Sequence, residues 1–374
     1  MLSKTSEIYR IALSKLNGIG PIRAAQVLSK LENINFLFES TLQEIKTQTG
    51  LSESFLRALK REEAINLAEK QLNFNHKNGI STHFFLDSTY PRRLRQCSDG
   101  PIVIYTKGKM DLNHTQIVSI VGTRNHTEYG KELLKSLLSS FKEKNILVVS
   151  GLAYGVDIHA HQLCLLNNIQ TIGVLGHGLD RIYPSQHKQI AKDMQENGGL
   201  LTEFMISTNP DRENFPMRNR IVAGLADATI VIESKERGGS MITAELANDY
   251  NRDVFAYPGD IGRQTSEGCN LLIKKQKAHL ISSPNDFLTF MNWDSKRVSV
   301  QKELELNLEP DEATILNLFE NDEILHSDII GMKAEMSASK INVLLFQMEM
   351  KNMVEQLPGI SYKLLKQVLQ DEYL

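Results

Sequence analysis

The sequence predicts an α/β protein built on a doubly wound, mostly parallel sheet. Between Ile117 and Ile281, short runs of apolar and β-branched residues alternate with stretches of helix length. Continuous apolar runs are typical of strands buried on both faces, and their alternation with helices is typical of βαβ units. Several runs end directly in glycine-rich segments. Ligands bind such sheets at the carboxyl ends of the strands, so these segments mark the expected site.

Residues 1–75 are predicted to form a helical module. The segment LNGIGP at residues 16–21 places a Gly-x-Gly turn before a helical pattern, and a further helix is expected from about Glu53 to Asn75. Exposed backbone N–H groups at such a turn are able to hold a phosphate. Both a helix-hairpin-helix module and a plain glycine-capped helix turn fit this pattern.

The sheet domain is predicted to span residues 76–290. Two short apolar runs between Gly79 and Gly108 precede the main series. After residue 108, strands are predicted at 117–122, 146–150, 171–175, 200–202, 228–233, 254–257 and 278–281. Helices are predicted between them at 128–144, at 185–197 and at 240–250, and a further helix after the second strand ends at Leu166. This alternation predicts βαβ units and a parallel sheet.

A linker is predicted at residues 291–309, followed by a small module at 310–374. The module shows helical patterns, with Ser327 and Ser337 as expected N-caps, and then a strand–turn–strand in EQLPGISYKL. This order is similar to a winged helix-turn-helix, a fold that usually binds DNA. However, residues 291–374 carry 8 Lys+Arg against 15 Asp+Glu, a net charge of −7. An acidic module repels phosphate, so protein contact is the expected use.

Composition and charge limit the compartment and the partners expected for this protein. The three cysteines, Cys97, Cys164 and Cys269, form no CxxC pair and are expected to be buried free thiols in a reducing cytoplasm. No apolar run is long enough for a membrane span, and the N-terminus lacks a signal-peptide pattern. Residues 1–74 and 75–290 each carry a net charge of +2. A nucleic acid would therefore meet its cations there.

Two loops after the first strands carry candidate phosphate ligands. VGTRN, at residues 121–125, places Arg124 at the sheet edge, where a guanidinium suits bidentate phosphate binding; a structural salt bridge is the alternative. In SGLAYGVD, at 150–157, Gly151 and Gly155 allow close approach of an anion, and Ser150 offers a hydroxyl.

Two later segments complete the candidate site. NFPMRNRI, at 214–221, is interpreted as a loop in which cations track a phosphate backbone and an aromatic side chain stacks on a base; its candidates are Phe215, Arg218, Asn219 and Arg220. Phe215 as a core residue is the alternative. GGSMITA, at 238–244, opens a helix and forms an anion nest with Gly239, Ser240 and Thr243.

Several chemistries are disfavoured by the sequence. The first loop lacks the G-x-G-x-x-G fingerprint, and Ser150 and Gly151 stand where a ribose-binding acid is expected, which argues against NAD or FAD. No Walker spacing and no nucleophile elbow occur. Asp157 and His161 share a helix face, but a capping Asp and a hydrogen-bonded His are a better interpretation than a metal site. We expect no cofactor, no metal and no catalytic residue.

The ordered motifs VGTRNHTEYG, SGLAYGVDIHAH, GHGLDRIYP, ENFPMRNRIVAGLAD and GGSMITAELA resemble the DNA-processing protein A (DprA or Smf) family. The resemblance covers residues 118–275 and implies an extended Rossmann domain that binds single-stranded DNA and dimerises. It also implies a SAM or helix-hairpin-helix-like module before that domain and a winged-helix module after it. It also implies a role in natural transformation, in competent cells, by protecting incoming DNA and helping to load the RecA recombinase. The family's VGxR, SGxAxG, FPxRNR and GSxxTA loops match the candidate residues already named.

Three functional hypotheses follow from the sequence. The first is a non-enzymatic, sequence-independent binder of single-stranded DNA. The second is a nucleotide phosphoribohydrolase, for which Glu233 and Glu245 are the only nearby candidate acids. The third, compatible with the first, is a scaffold that contacts protein through residues 310–374.

Overall fold

The computed structural model describes residues 3–293, 309–319, 324–351, 353–357 and 359–364. The chain divides into two compact units, Met1–Asp294 and Ser295–Leu374. Each unit has its own hydrophobic core.

The first unit begins with a helical segment, as predicted. Thr41 and Glu44 form a reciprocal capping box at the fourth helix. The single helix expected at 53–75 is wrong: it is broken near Lys60, which takes a left-handed φ of 52°. The helices are α1 (Lys4–Leu13), α2 (Pro21–Leu28), α3 (Ile34–Glu39), α4 (Leu42–Thr49), α5 (Glu53–Ala58) and α6 (Arg61–Asn78).

A nine-stranded sheet forms the centre of the first unit, in the order β1-β2-β6-β5-β4-β3-β7-β8-β9. The strand β2 pairs antiparallel with both β1 and β6, whereas the strands from β6 to β9 run parallel. The strands are β1 (Ser81–Phe84), β2 (Val103–Lys109), β3 (Ile117–Val121), β4 (Leu147–Ser150), β5 (Thr171–Val174), β6 (Gly198–Thr202), β7 (Ala228–Val231), β8 (Asp253–Ala256) and β9 (His279–Leu280). The predicted doubly wound, mostly parallel sheet is confirmed.

Helices cover both faces of this sheet. Because β3 is buried on both sides, Ile117 and Val121 pack into one core while Val118 and Ile120 pack into another. The helices are α7 (Arg92–Arg95), α8 (Glu128–Ser140), α9 (Val156–Leu166), α10 (Lys188–Asp193), α11 (Asn214–Leu225), α12 (Gly239–Asp249), α13 (Glu267–Lys274) and α14 (Pro284–Phe290).

The strand order changes direction at β3. The chain places β4, β5 and β6 on one side of β3, and β7, β8 and β9 on the other. Such a switch point leaves a crevice outside the carboxyl ends of the two central strands, where the connecting loops diverge.

The helical segment and the antiparallel strands share one core. Side chains of α1 to α6 pack in the same cluster as Phe84, Val103 and Tyr105. The Arg10 guanidinium donates to both carboxylate oxygens of Asp87 at 2.8 Å. The helices are therefore part of the first unit.

The start of the predicted linker belongs to this unit as well. The helix α14 ends at Phe290, and the Trp293 ring packs edge-on against Phe287 with centroids 5.4 Å apart. The remainder of that linker, from 294 to 308, lies outside the described residues.

The second unit holds a three-stranded antiparallel sheet in the order β10-β12-β11, packed with three helices. Ser337 caps the last helix as predicted, but His326, and not Ser327, caps the preceding one. The elements are α15 (Pro310–Leu316), β10 (Ile324–His326), α16 (Ser327–Lys333), α17 (Ala338–Met350), β11 (Val354–Leu357) and β12 (Ser361–Leu364). None of the described helices in either unit has the length and apolar character needed to cross a membrane.

Candidate nucleic-acid interface

A surface cleft of about 520 Å³ opens at the switch point between β3 and β7. It is bounded by the loops that follow β3, β4 and β7, and by the first turns of α11 and α12. Eight of the predicted residues line this one cleft: Arg124, Gly151, Phe215, Arg218, Asn219, Gly239, Ser240 and Thr243.

The expected loop at 214–221 is instead the start of α11, and this changes where its side chains point. Pro216 is the third residue of the helix, where its missing N–H has no intrahelical partner to lose. Residues two apart on a helix diverge by about 200°. Arg218 therefore enters the cleft, whereas Arg220 leaves it.

Arg220 serves the other side of α11. Its guanidinium donates to the Glu203 carboxylate and to the Asp99 carbonyl, and only 15% of its side chain is exposed. It does not line the cleft. The interpretation of Arg220 as part of a continuous phosphate track finds no support in this geometry.

Ser150 and Gly155 support the cleft from behind. The buried Ser150 hydroxyl donates to the Ile120 carbonyl at 2.6 Å, so it holds β4 against β3. Gly155 has a φ of 81°, and a Cβ there would lie 2.3 Å from the Thr123 carbonyl oxygen. The absence of a side chain at Gly155 lets the loops after β3 and β4 pack against each other.

Arg218 is the buried cation of the cleft. It is only 4% exposed, and its Nη1 donates to the Val174 carbonyl at 2.7 Å, while its Nε has no partner among the described residues. Burial lowers the pKa of Arg218, and the Asp157 carboxylate opposes that shift. Burial in turn raises the pKa of Asp157, which Arg218 and the Ala153 N–H oppose. The guanidinium thus keeps unused donor capacity at the cleft wall.

Gly151 makes room for that guanidinium. A Cβ at Gly151 would lie 1.8 Å from Arg218 Nη1 and 2.4 Å from its Cζ. The glycine predicted to admit an anion therefore admits a protein cation in this structure.

The N-terminus of α12 forms a second wall, as predicted. Its N-cap is Gly238, which offers no side-chain hydrogen bond; the Met241 N–H donates to the Gly238 carbonyl at 3.1 Å, whereas the Gly239 and Ser240 N–H groups have no partner among the described residues. The Ser240 hydroxyl donates to Ser234 Oγ at 2.8 Å, and Asn219 donates to the Gly239 carbonyl at 3.3 Å. These contacts fix α12 against the loop after β7 and against α11.

Three further residues line the cleft that the sequence patterns did not single out. Arg212, Lys235 and Asn125 are exposed; Asn125 ends the VGTRN motif, and Arg212 and Lys235 lie two and three residues before the motifs that begin at 214 and 238. Neither Arg124, Arg212 nor Lys235 forms an ion pair with a described carboxylate. Three unpaired cations surrounding a helix N-terminus attract a polyanion.

Aromatic side chains mark one end of the cleft. Phe215 is half-buried, and its ring centroid lies 6.1 Å from that of Tyr183. Phe215, Arg124 and Gly151 also line an adjoining pocket of about 70 Å³, together with Tyr154 and Tyr183. Both tyrosines are exposed, at 43% and 47%. A ring lying beside cations at a surface pocket is suited to stacking on a flat base.

The two candidate acids have structural roles. Glu233 is 2% exposed and accepts from the Thr127 N–H and hydroxyl, both at 2.7 Å, and from the Thr265 hydroxyl at 3.2 Å. Glu245 pairs with Lys277 at 3.2 Å. Neither lines the cleft.

The two histidines of α9 also form side-chain contacts. The buried His161 shares a hydrogen bond of 2.7 Å with the Thr171 hydroxyl. His159 lies 3.2 Å from His126, between Nδ1 and Nε2. The three cysteines are buried and free, as predicted.

The fold and the cleft together define an α/β protein with a cation-lined cleft at the switch point of a Rossmann-like sheet. Residues 81–292 match the family model of DNA recombination-mediator protein A, and residues 301–359 match that of the DprA winged helix domain. The chain belongs to the DNA recombination-mediator protein A family, which confirms the resemblance seen in the loop motifs.

Individual relatives agree with this assignment. Protein Smf of Synechocystis sp. is 35% identical over 77% of this chain and 73% of its own length. The X-ray structure of DNA processing protein A from Streptococcus pneumoniae superposes with a TM-score of 0.65 at 33% identity, covering 77% of this chain and 98% of that one. The structure of DNA processing protein A from Helicobacter pylori, which was solved to study its single-stranded DNA binding mode, superposes with a TM-score of 0.52 at 30% identity. The match covers 57% of this chain and 95% of that one.

Proposed function

We propose that the chain binds single-stranded DNA, without sequence preference, in the cleft at the switch point. One observation carries this proposal: within the described part of the chain, three cations without an ion-pair partner, a buried arginine with an unused donor and the N-terminus of α12 border the same cleft as Phe215. Cations and N–H groups bind phosphate whatever the base, and an aromatic ring stacks on any base.

A polynucleotide suits this cleft better than a dinucleotide cofactor. In the loop after β3, Arg124 and Thr127 stand where a G-x-G-x-x-G cofactor fingerprint has its second and third glycines. The strand β4 ends at Ser150, which is followed by Gly151 and not by an acid for a ribose. The exposed Arg212 and Lys235 extend the positive surface along the mouth of the cleft. The Helicobacter pylori relative, studied for its single-stranded DNA binding mode, supports the same choice.

We propose that the chain acts by binding and not by catalysis. A phosphoribohydrolase needs a free acid beside the bound sugar, and Glu233 is committed to Thr127 and Thr265. Incubation with nucleoside monophosphates should therefore release no free base. Release of base in proportion to protein concentration would restore the enzyme hypothesis.

The decisive experiment is a titration of fluorescent single- and double-stranded oligonucleotides over a series of salt concentrations. Arg124→Ala and Arg212→Ala should each weaken single-strand binding and reduce the slope of log K against log salt by about 0.7 per lost phosphate contact. Lys142→Ala is the matched control, because Lys142 follows α8 at the opposite edge of the sheet. An affinity that does not change with salt concentration, or equal losses of affinity in all three variants, would contradict the assignment of DNA binding to this cleft.

Family membership supports a wider role. We propose that the chain acts in the cytoplasm as a homodimer that protects incoming single strands during natural transformation and helps RecA to load on them. Exposed Leu280 on the edge strand β9 and exposed Phe290 nearby supply an apolar surface for a second copy. Sedimentation tests the dimer, and RecA assembly on strands coated with single-strand-binding protein, with and without this chain, tests the loading.

A further inference from the structure

The second unit contains a groove between α16 and α17 that DNA binding at the switch point does not use. This α16–α17 groove has a volume of about 420 Å³ and is closed at one side by Ile360, which precedes β12. Its lining residues are Ser327, Asp328, Gly331, Met332, Glu335, Met336, Ala338, Ile341, Asn342 and Ile360.

The groove offers apolar surface to solvent. Ile341 is buried at its floor, whereas Met332 on its wall is 81% exposed and Ile360 is 53% exposed. Of the 18 large apolar side chains that are exposed in the described chain, seven lie in this small unit. Soluble proteins rarely concentrate such side chains without a partner.

The charged side chains that line the groove have a single sign. Asp328 and Glu335 are exposed at its rim, and no Lys, Arg or His is among its described lining residues. Of the neighbouring cations, Lys340 pairs with Asp311 at 2.6 Å and Lys351 with Glu312 at 2.7 Å. The exposed Lys333 of α16 forms no ion pair with a described carboxylate, and His326 lies 3.5 Å from the Asp328 carboxylate. No arginine occurs after Arg297.

These charges decide between two classes of partner. In a DNA-binding helix-turn-helix, the second helix enters the major groove and cations contact the phosphates. Here the corresponding helix, α17, belongs to a unit whose residues 291–374 carry a net charge of −7. A DNA duplex would be repelled, while a positively charged protein segment would be attracted.

We propose that the α16–α17 groove is a docking site for a basic amphipathic segment of a partner protein. Its apolar side chains enter between Met332, Ile341 and Ile360, and its Lys or Arg side chains pair with Asp328 and Glu335. Flexible methionine side chains adapt to varied apolar surfaces, which suits a wall formed by Met332 and Met336. This inference is independent of DNA binding by the first unit.

Two synthetic amphipathic helices, one of leucine and lysine and one of leucine and glutamate, are suitable probes for the full chain. The lysine peptide should bind, and its affinity should fall as salt rises, whereas the glutamate peptide should not bind. Met332→Ser should lower the affinity for the lysine peptide at least about tenfold, and the double change Asp328→Lys with Glu335→Lys should lower it as much.

Matched controls separate the groove from the unit's general character. Met350→Ser removes a methionine of similar exposure, 72%, and Glu355→Lys reverses an exposed acid; neither residue lines the groove. Both variants should bind the lysine peptide as the unaltered chain does. All variants concern exposed side chains, so thermal melting should show that each protein remains folded, with a small loss of stability for Asp328→Lys because Asp328 lies in the first turn of α16.

Four outcomes would overturn the proposal: failure of the lysine peptide to bind, equal affinity for the glutamate peptide, equal losses in control and groove variants, or loss of single-strand DNA affinity on Met332→Ser. A fifth, self-association of the free chain that disappears on Met332→Ser, would show that a second copy occupies the groove instead.

Discussion

Gly151→Ala tests whether the buried cation of the cleft contacts DNA. The added methyl would lie 1.8 Å from Arg218 Nη1, and ordinary contact starts at 3.4 Å, so the guanidinium must move by about 1.6 Å. That displacement breaks its 2.7 Å hydrogen bond to the Val174 carbonyl. A hydrogen bond from a charged group contributes about 1.5–3 kcal/mol, so the free energy of unfolding should fall by up to that amount.

The same displacement should weaken DNA binding by removing one phosphate contact. We expect about a tenfold loss of affinity for a single strand and a salt slope smaller by about 0.7. Fluorescence anisotropy over a salt series measures both quantities, and urea unfolding measures the stability.

A double-mutant cycle with Arg218→Met shows whether Gly151 acts through the arginine. If it does, Gly151→Ala should have almost no further effect on DNA affinity once Arg218 has been replaced. Additive losses, or a Gly151→Ala protein with the normal salt slope, would refute this reasoning.

Three other predictions concern the site and its supports. Phe215→Ala should cost about 1–3 kcal/mol of single-strand binding with the salt slope unchanged, and Phe215→Tyr should retain most of it; equal affinity for both variants would remove the stacking role. Glu233→Gln should lower the free energy of unfolding by about 2 kcal/mol in urea titrations, because an amide cannot accept all three hydrogen bonds from Thr127 and Thr265. Burial lowers the pKa of His161 from 6.5 to about 3, so its contribution to stability is complete above pH 6.5 and is lost as the pH falls towards 3. Its imidazole NMR signals should show a neutral ring in the folded protein at pH 5, and a midpoint near 6.5 would contradict this.

The sheet could be predicted from the sequence because its central strands are buried on both faces. Runs such as Ile117–Val121 have no polar side to interrupt them, and the helices between them have recognisable lengths. The carboxyl-end rule predicted the site at this end of the sheet, where the loops after β3, β4 and β7 border the cleft.

The details of α11 were not accessible in the same way. The Asn-Phe-Pro start suggests a turn, and only the three-dimensional structure shows that Pro216 lies in the first helical turn. That error placed Arg218 and Arg220 on one track. Arg212 and Lys235 were missed because single exposed cations in a charged chain carry no pattern of their own.

Gly151 illustrates a different limit. A glycine beside a phosphate loop suggests contact with an anion, yet here the close neighbour is a guanidinium that approaches from a residue 67 positions away along the chain. Local spacing cannot reveal such a long-range contact, which depends on the packing of α11 across the sheet.

The central position of β3 in the sheet also determines when each of its two neighbouring strands becomes available during synthesis. Its two neighbours arrive at very different times, because β4 follows within the next helical connection while the partner of Ser119 in β7 is Thr229. These two hydroxyls meet at 2.7 Å across a separation of 110 residues. At roughly 10 residues per second, a nascent chain carries the open edge of β3 for about ten seconds before β7 emerges to close it. Among the strands of this sheet that are paired on both edges, β3 is thus the one whose open edge waits longest for its partner on the ribosome.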